Sequence, residues 1–163
     1  MTSLMIPNFG VLLAPYIGQV PPEAMPRFLA LLERGAAERY RQWAEMMPEH
    51  AADLLACSES EDEIAARVEA VFSLDPALVE VLQAPLPGAK ATYLDAFAGL
   101  EVWDQLRIQA NAERQGAQAW RGIASRLDDA RVVDELARCS ALEEASADRL
   151  DALIAAFAPS PTA

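Results

Sequence analysis

Apolar side chains return every three or four residues along most of this chain, and that spacing predicts helices. From Pro22 onward they fall at Met25, Leu29, Leu32, Ala36, Tyr40, Trp43 and Met47, with Glu and Arg opposite, which predicts an amphipathic helix over 22–47. Pro48 fits the first turn of a second helix, where an N–H would have no partner anyway. The stripe Leu54, Cys57, Glu61, Ile64, Val68 and Val71 extends that helix over 48–73. Asp75-Pro76 reads as the cap and first residue of a short helix that ends before Pro85, and Pro87-Gly88 as a turn, so 74–88 is predicted to be a connection. A third helix follows over 91–126, with an irregularity near Gly99 and a stripe of Leu106, Glu113, Ala117, Trp120, Ala124 and Leu127. Asp128 and Asp129 can cap a fourth, whose stripe is Leu136, Cys139, Glu143, Ser146, Leu150 and Leu153.

These elements predict an all-α fold, a four-helix bundle over 22–157. The first and third turns are too short for anything but antiparallel hairpins. The middle connection of roughly 15 residues can run the length of a bundle and bring the third helix parallel to the second. Alanine at 33 positions against 7 glycines favours helix almost everywhere. Residues 1–21 carry no charged side chain, and Pro7, Gly10, Pro15, Gly18 and Pro21 interrupt them, which predicts an extended apolar arm packed on the domain or on a partner subunit. With no basic segment before it and these breaks within it, the arm fits neither a signal peptide nor a membrane span. Residues 158–163 are predicted to be a flexible tail.

A net charge of −12 repels phosphate backbones and anionic membrane surfaces, so nucleic-acid binding is disfavoured. Two cysteines without a CxxC pair form neither a disulfide framework nor a zinc knuckle, which predicts a reducing, cytoplasmic setting.

The strongest signal is an internal repeat. At an offset of 82, Cys57-Ser58 matches Cys139-Ser140, Glu61 matches Glu143 and Arg67 matches Arg149. Earlier in each half the offset is 80, pairing Glu33-Arg34 with Glu113-Arg114, Tyr40-Arg41 with Trp120-Arg121 and Ala44 with Ala124. The chain therefore reads as a duplicated helical hairpin. In each half a Glu on the first helix precedes an aromatic by seven residues, and a second Glu follows on the next helix. All four carboxylates, Glu33, Glu61, Glu113 and Glu143, lie on the apolar stripes and are predicted to point inward. If the second and fourth helices are antiparallel, Cys57 and Cys139 fall on opposite sides of the carboxylate layer, too far apart for a disulfide.

On these residues the sequence resembles the ferritin-like superfamily, in particular its rubrerythrin-type bundles, over 22–157. The resemblance implies two metal ions held by one Glu from each first helix and a Glu-x-x-His from each second helix. It makes Glu33 and Glu113 terminal ligands and Glu61 and Glu143 bridging ligands, with Tyr40, Trp120 and Ser146 beside them. Both histidines of that pattern are replaced, by Ile64 and Ser146, and a further Glu of the family falls at Gly116. The only histidine, His50, stands about three turns from Glu61 and is too distant to substitute.

Four buried carboxylates need compensation, since desolvation and repulsion both penalise their charge. Two divalent ions would supply it, Fe or Mn by the resemblance. Without metal, protonated pairs or an inward arginine such as Arg67 or Arg149 would serve. Two functions follow: an atypical carboxylate-rich di-metal protein with oxidoreductase-type activity, or a metal-free bundle that acts as an interaction or small-ligand-binding module. In both the expected assembly is a homodimer through the N-terminal arm.

Overall fold

The computed structural model describes residues 4–159, and among these every regular element is helical. Four long helices dominate: α2 (Met25–Met46), α3 (Ala51–Val71), α6 (Val102–Ala124) and α7 (Ala130–Phe157). They are preceded by α1 (Phe9–Ile17), and α4 (Val79–Gln83) and α5 (Leu86–Asp95) lie between α3 and α6. The hairpin turn between α2 and α3 is a single 3-10 turn, Pro48–His50, with Pro48 at its start. Asp129 caps α7, accepting from the backbone N–H groups of Arg131 and Val132.

Three expectations are corrected. The N-terminal arm is not extended over its length, because residues 9–17 form a helix. The Asn8 side chain caps it by accepting from Val11 N–H, Pro7 lies outside it, and Pro15 falls in its last turn just before Gly18 closes back onto Ala14 (2.9 Å). Pro87-Gly88 is not a turn but part of the start of α5, where proline at the second helical position displaces no bonded N–H. The helix predicted over 91–126 is two helices, since the backbone breaks after Asp95 and Gly99 takes a φ of +74°, a conformation glycine adopts without steric cost. The connection between the two hairpins is therefore longer than 74–88 and contains two helices. Part of the tail predicted over 158–163 lies outside the described residues, as do residues 1–3 of the arm.

Packing fixes the helix directions. One apolar cluster joins Trp43 and Met47 near the end of α2 to Leu54 and Cys57 in α3, Leu106 near the start of α6, and Leu150 and Leu153 late in α7. A second joins Ala30 early in α2 to Ile64 and Val68, Trp120 late in α6, and Leu136 and Cys139 early in α7. Hence α2 runs antiparallel to α3 and to α6, α7 antiparallel to α3 and to α6, and α3 parallel to α6.

The duplication is written in the contacts. Cys57 Sγ contacts the Ser146 carbonyl at 4.0 Å, and its equivalent Cys139 contacts the Ile64 carbonyl at 3.9 Å. Ser58 Oγ donates to Ala37 O at 2.8 Å, and Ser140 Oγ to Ala117 O at 3.1 Å. The surface repeats as well: Arg34–Glu69 mirrors Arg114–Asp151, Arg41–Asp62 mirrors Arg121–Glu144, and Arg67–Glu135 mirrors Arg149–Asp53. Such exposed pairs contribute about 0–1 kcal/mol each, so they record the repeat more than they hold it. Arg67 and Arg149 bridge α3 and α7 at the surface; neither turns toward the carboxylates. Both cysteines are buried and unbonded.

α1 lies across α5 and α6. Phe9 is buried against Tyr93 and Phe97, and Tyr16 bonds Thr92 at 2.8 Å. Gln115 of α6 clamps its start, accepting from Phe9 N–H (2.8 Å) and donating to Pro7 O (2.9 Å). Gly88 is required beneath it, because a Cβ there would stand 2.5 Å from the Tyr16 ring. Among the described residues no helix is long and apolar enough to cross a membrane.

Candidate metal centre

Between the two apolar clusters the four long helices each turn one glutamate inward. Glu61, Glu113 and Glu143 are buried and Glu33 is half-buried. Their placement follows from helical periodicity: Glu61 stands between Cys57 and Ile64, and Glu143 between Cys139 and Ser146, all of which are buried. Carboxylate oxygens of Glu33, Glu61 and Glu143 all lie within 4.8 Å of one another, a spacing that can hold a metal ion. Glu113 joins them, near enough that its charge acts on Glu33, Glu61 and Glu143. The structure thus brings all four predicted carboxylates together.

Tyr40 and Trp120 are the donors of this layer. Tyr40 OH donates to Glu113 Oε1 at 2.5 Å, and Trp120 Nε1 to Glu143 Oε1 at 3.1 Å. Gln109, one turn before Glu113, donates to the same Oε1 at 2.6 Å and is itself held by Tyr93 OH at 2.7 Å. The sequence places Gln109 beside Glu113 but does not single it out as a donor, and Tyr93 gives no signal at all because it lies on the connection. Gly116 has a further use: a Cβ there would stand 2.5 Å from Glu143 Oε1, so the missing side chain leaves room for that carboxylate. His50 is elsewhere, stacked 4.7 Å from Phe157 and 5.5 Å from Trp103.

Burial sets the protonation of the layer. It pushes the Glu33 carboxyl from 4.5 up to about 7, with repulsion from Glu113 adding to it and hydrogen bonds to Glu61 and Trp120 opposing it. Glu61 and Glu143 are driven well above the usual carboxylate range, by burial first and then by the neighbouring glutamates. Burial likewise raises Tyr40, which stays a phenol, and pushes both Cys57 and Cys139 up to about 12, which keeps them as inert thiols.

The donor set fits a divalent cation. Glu61 Oε1, Glu113 Oε2 and Ser146 Oγ are buried with no hydrogen-bond partner, an arrangement that costs free energy unless something ligates or solvates them. All are oxygens, the ligands preferred by hard and borderline cations such as Mn²⁺. Ile64 offers no donor beside Glu61.

A cavity of about 590 Å³ reaches this layer between α2 and α6, with α1 and α5 alongside and Glu61, Glu143 and Trp120 among its lining residues. It accounts for the partial exposure of Glu33, Leu29 and Leu32, which the helical stripe of α2 predicts to be core. Comparison of the chain with models of known protein families, with curated proteins and with solved structures gives no match.

Proposed function

We propose that this chain is a ferritin-like four-helix bundle, two duplicated hairpins joined by one crossover, whose carboxylate layer binds divalent Fe or Mn for oxidoreductase-type chemistry. The observation that carries this reading is the convergence of Glu33, Glu61 and Glu143 within 4.8 Å beside buried, unpartnered oxygens of Glu61 and Glu113. Glu33, Glu61, Glu113 and Glu143 would hold the metal. When bound, the metal supplies redox chemistry toward oxygen or peroxide. The protein's own groups prepare the place: Tyr40 and Gln109 fix the Glu113 carboxylate, Trp120 orients Glu143, and the apolar clusters close the layer along the helix axes, leaving the cavity as the way in. Two buried thiols beside this layer suit a reducing compartment, the cytoplasm.

The test is elemental analysis of protein purified without a His tag, beside a Glu33→Ala/Glu113→Ala double variant. Near-stoichiometric Fe or Mn in the wild type and its loss in the variant are expected. A wild type that stays empty after reconstitution would refute the reading.

The 590 Å³ cavity favours a second reading, a small-ligand-binding module that needs no metal. A homodimer through the arm is compatible with either. Its inner side is spent on α5 and α6, so a second copy would pack on the outward residues Met5 and Val11, which are 83% and 67% exposed.

A further inference from the structure

We propose that the cavity between α2 and α6 binds a monocarboxylate with an apolar body, its head held at Lys90 and Arg39 and its apolar end directed at the glutamate layer. The inference rests on the metal-centre reading only for what that apolar end meets.

The walls are apolar. Leu13 and Ile17 come from α1, Leu29 and Leu32 from α2, and Tyr93 and Leu94 from α5. A volume of about 590 Å³ is within the ordinary range for small-molecule pockets. Leu29 and Leu32 belong to the apolar stripe of α2 yet are only half-buried, so an apolar guest completes a burial that the fold leaves unfinished.

The polar end is set by two cations. Lys90 is the only lysine of the chain, and among the described residues neither it nor Arg39 forms an ion pair; Arg27, Arg126, Arg131 and Arg138 form none either, but of these cations only Lys90 and Arg39 line the cavity. Arg39 is fixed by Gln105 (2.7 Å) and Gln42 (2.9 Å) and stacks 4.9 Å from the Trp43 ring, while its Nε is buried with no acceptor. The Lys90 stem lies over Gly35, where a Cβ would stand 3.5 Å from Lys90 Cε, and Gly35 is one turn, about 6 Å, from Arg39 on α2. Two cations without a carboxylate partner thus line one stretch of cavity wall, and their charge suits a carboxylate. Glu38 also lines the cavity but is exposed, and water screens it.

Orientation follows from desolvation. Glu33, Glu61, Glu113 and Glu143 lie at the inner end, where a carboxylate head would give up its water and gain no cationic side chain in return. An apolar end incurs no such cost. A carboxylate therefore stays outward with Lys90 and Arg39, and the chain or ring behind it points inward.

Calorimetric titration of the full chain with octanoate, octanol and octylamine, in both chelator-treated and Mn²⁺-loaded protein, tests this. Saturable one-to-one octanoate binding is expected in both forms, with octanol about tenfold weaker and no binding of octylamine. Lys90→Gln should lower octanoate to the level of octanol while leaving octanol unchanged, and Leu32→Trp, which fills the cavity, should weaken both. Absence of octanoate binding in both forms, equal binding of the three probes, or a Lys90→Gln variant with undiminished octanoate affinity would overturn the proposal. The two readings fail separately: octanoate bound by a protein that takes no metal leaves this inference standing, and metal bound without octanoate removes this inference alone.

Discussion

Position for position, the second hairpin repeats the first with substitutions around the carboxylate layer. Tyr40 becomes Trp120, Leu29 becomes Gln109, Ala36 becomes Gly116 and Ile64 becomes Ser146. The consequence is unequal treatment of equivalent glutamates. Glu113 accepts from Tyr40 and from Gln109 one turn behind it, and is held on both sides. Glu33 has Leu29 at the corresponding place, which offers no hydrogen bond, so it keeps only Glu61 and Trp120 as polar neighbours, and its carboxylate faces the cavity. One half fixes its carboxylate and the other leaves it open to what enters. A duplicated scaffold can thus keep its register, down to matched surface ion pairs, while its two copies take different parts in one site.

The largest effect that would break this comparison lies just outside the layer. Trp43 is fully buried, donates to Gln105 and packs edge-on against Tyr40 and Phe97, whereas its equivalent Ile123 is half-buried. Trp43→Ala should cost about 3–5 kcal/mol in denaturant unfolding and Ile123→Ala less than half as much. Equal costs would mean that the halves share the core evenly.

Next in size is the dependence on pH and metal. Folded Glu33 keeps its proton up to about pH 7, where the unfolded chain releases it near 4.5, so its contribution to stability is fully present below 4.5 and is lost as the pH rises through 7. Glu61 and Glu143, raised further, act in the same direction and at higher pH. Metal-free protein should therefore lose melting temperature from about pH 4.5 upward. Mn²⁺ at roughly a hundred times its Kd should restore about 2.7 kcal/mol, or about 5–10 °C, above neutrality. Surface carboxylates work the other way: Glu135, held below the usual range by Arg67, contributes above its ordinary value and loses that contribution in acid.

Tyr40→Phe sharpens the contrast between the glutamates. It removes a buried donor from Glu113 and should cost about 1–3 kcal/mol in the metal-free protein, as thermal unfolding would read. The smallest effect is also the most symmetric one. Arg67→Ala and Arg149→Ala break mirrored bridges between α3 and α7, and each should change stability by less than about 1 kcal/mol and by similar amounts.

Much of the fold is legible in the sequence because the repeat constrains it twice. The pairing of Glu33 with Glu113 and of Glu61 with Glu143 places the glutamates inward, and the structure gives the paired Cys57 and Cys139 equivalent contacts. What escapes the sequence lies outside the repeat. Residues 9–17 have no partner segment, and Pro15 and Gly10 mask a helix whose stability comes from Asn8, Gln115 and contact with α5. The break at Gly99 requires a positive φ that an isolated glycine does not announce. The cavity is harder still, since it is built from small residues such as Gly35 and Gly116 and from elements far apart in the chain. Leu29 and Leu32 carry the same apolar signal whether they meet a core or a space.

The central claim is that the unequal glutamates form one metal site at the head of that cavity. The most direct measurement is anomalous diffraction at the Mn edge from crystals of the full chain grown with Mn²⁺. The account predicts a peak enclosed by Glu33, Glu61 and Glu143 that disappears in Glu61→Ala. Anomalous signal confined to surface carboxylates, with none in the layer, would contradict it.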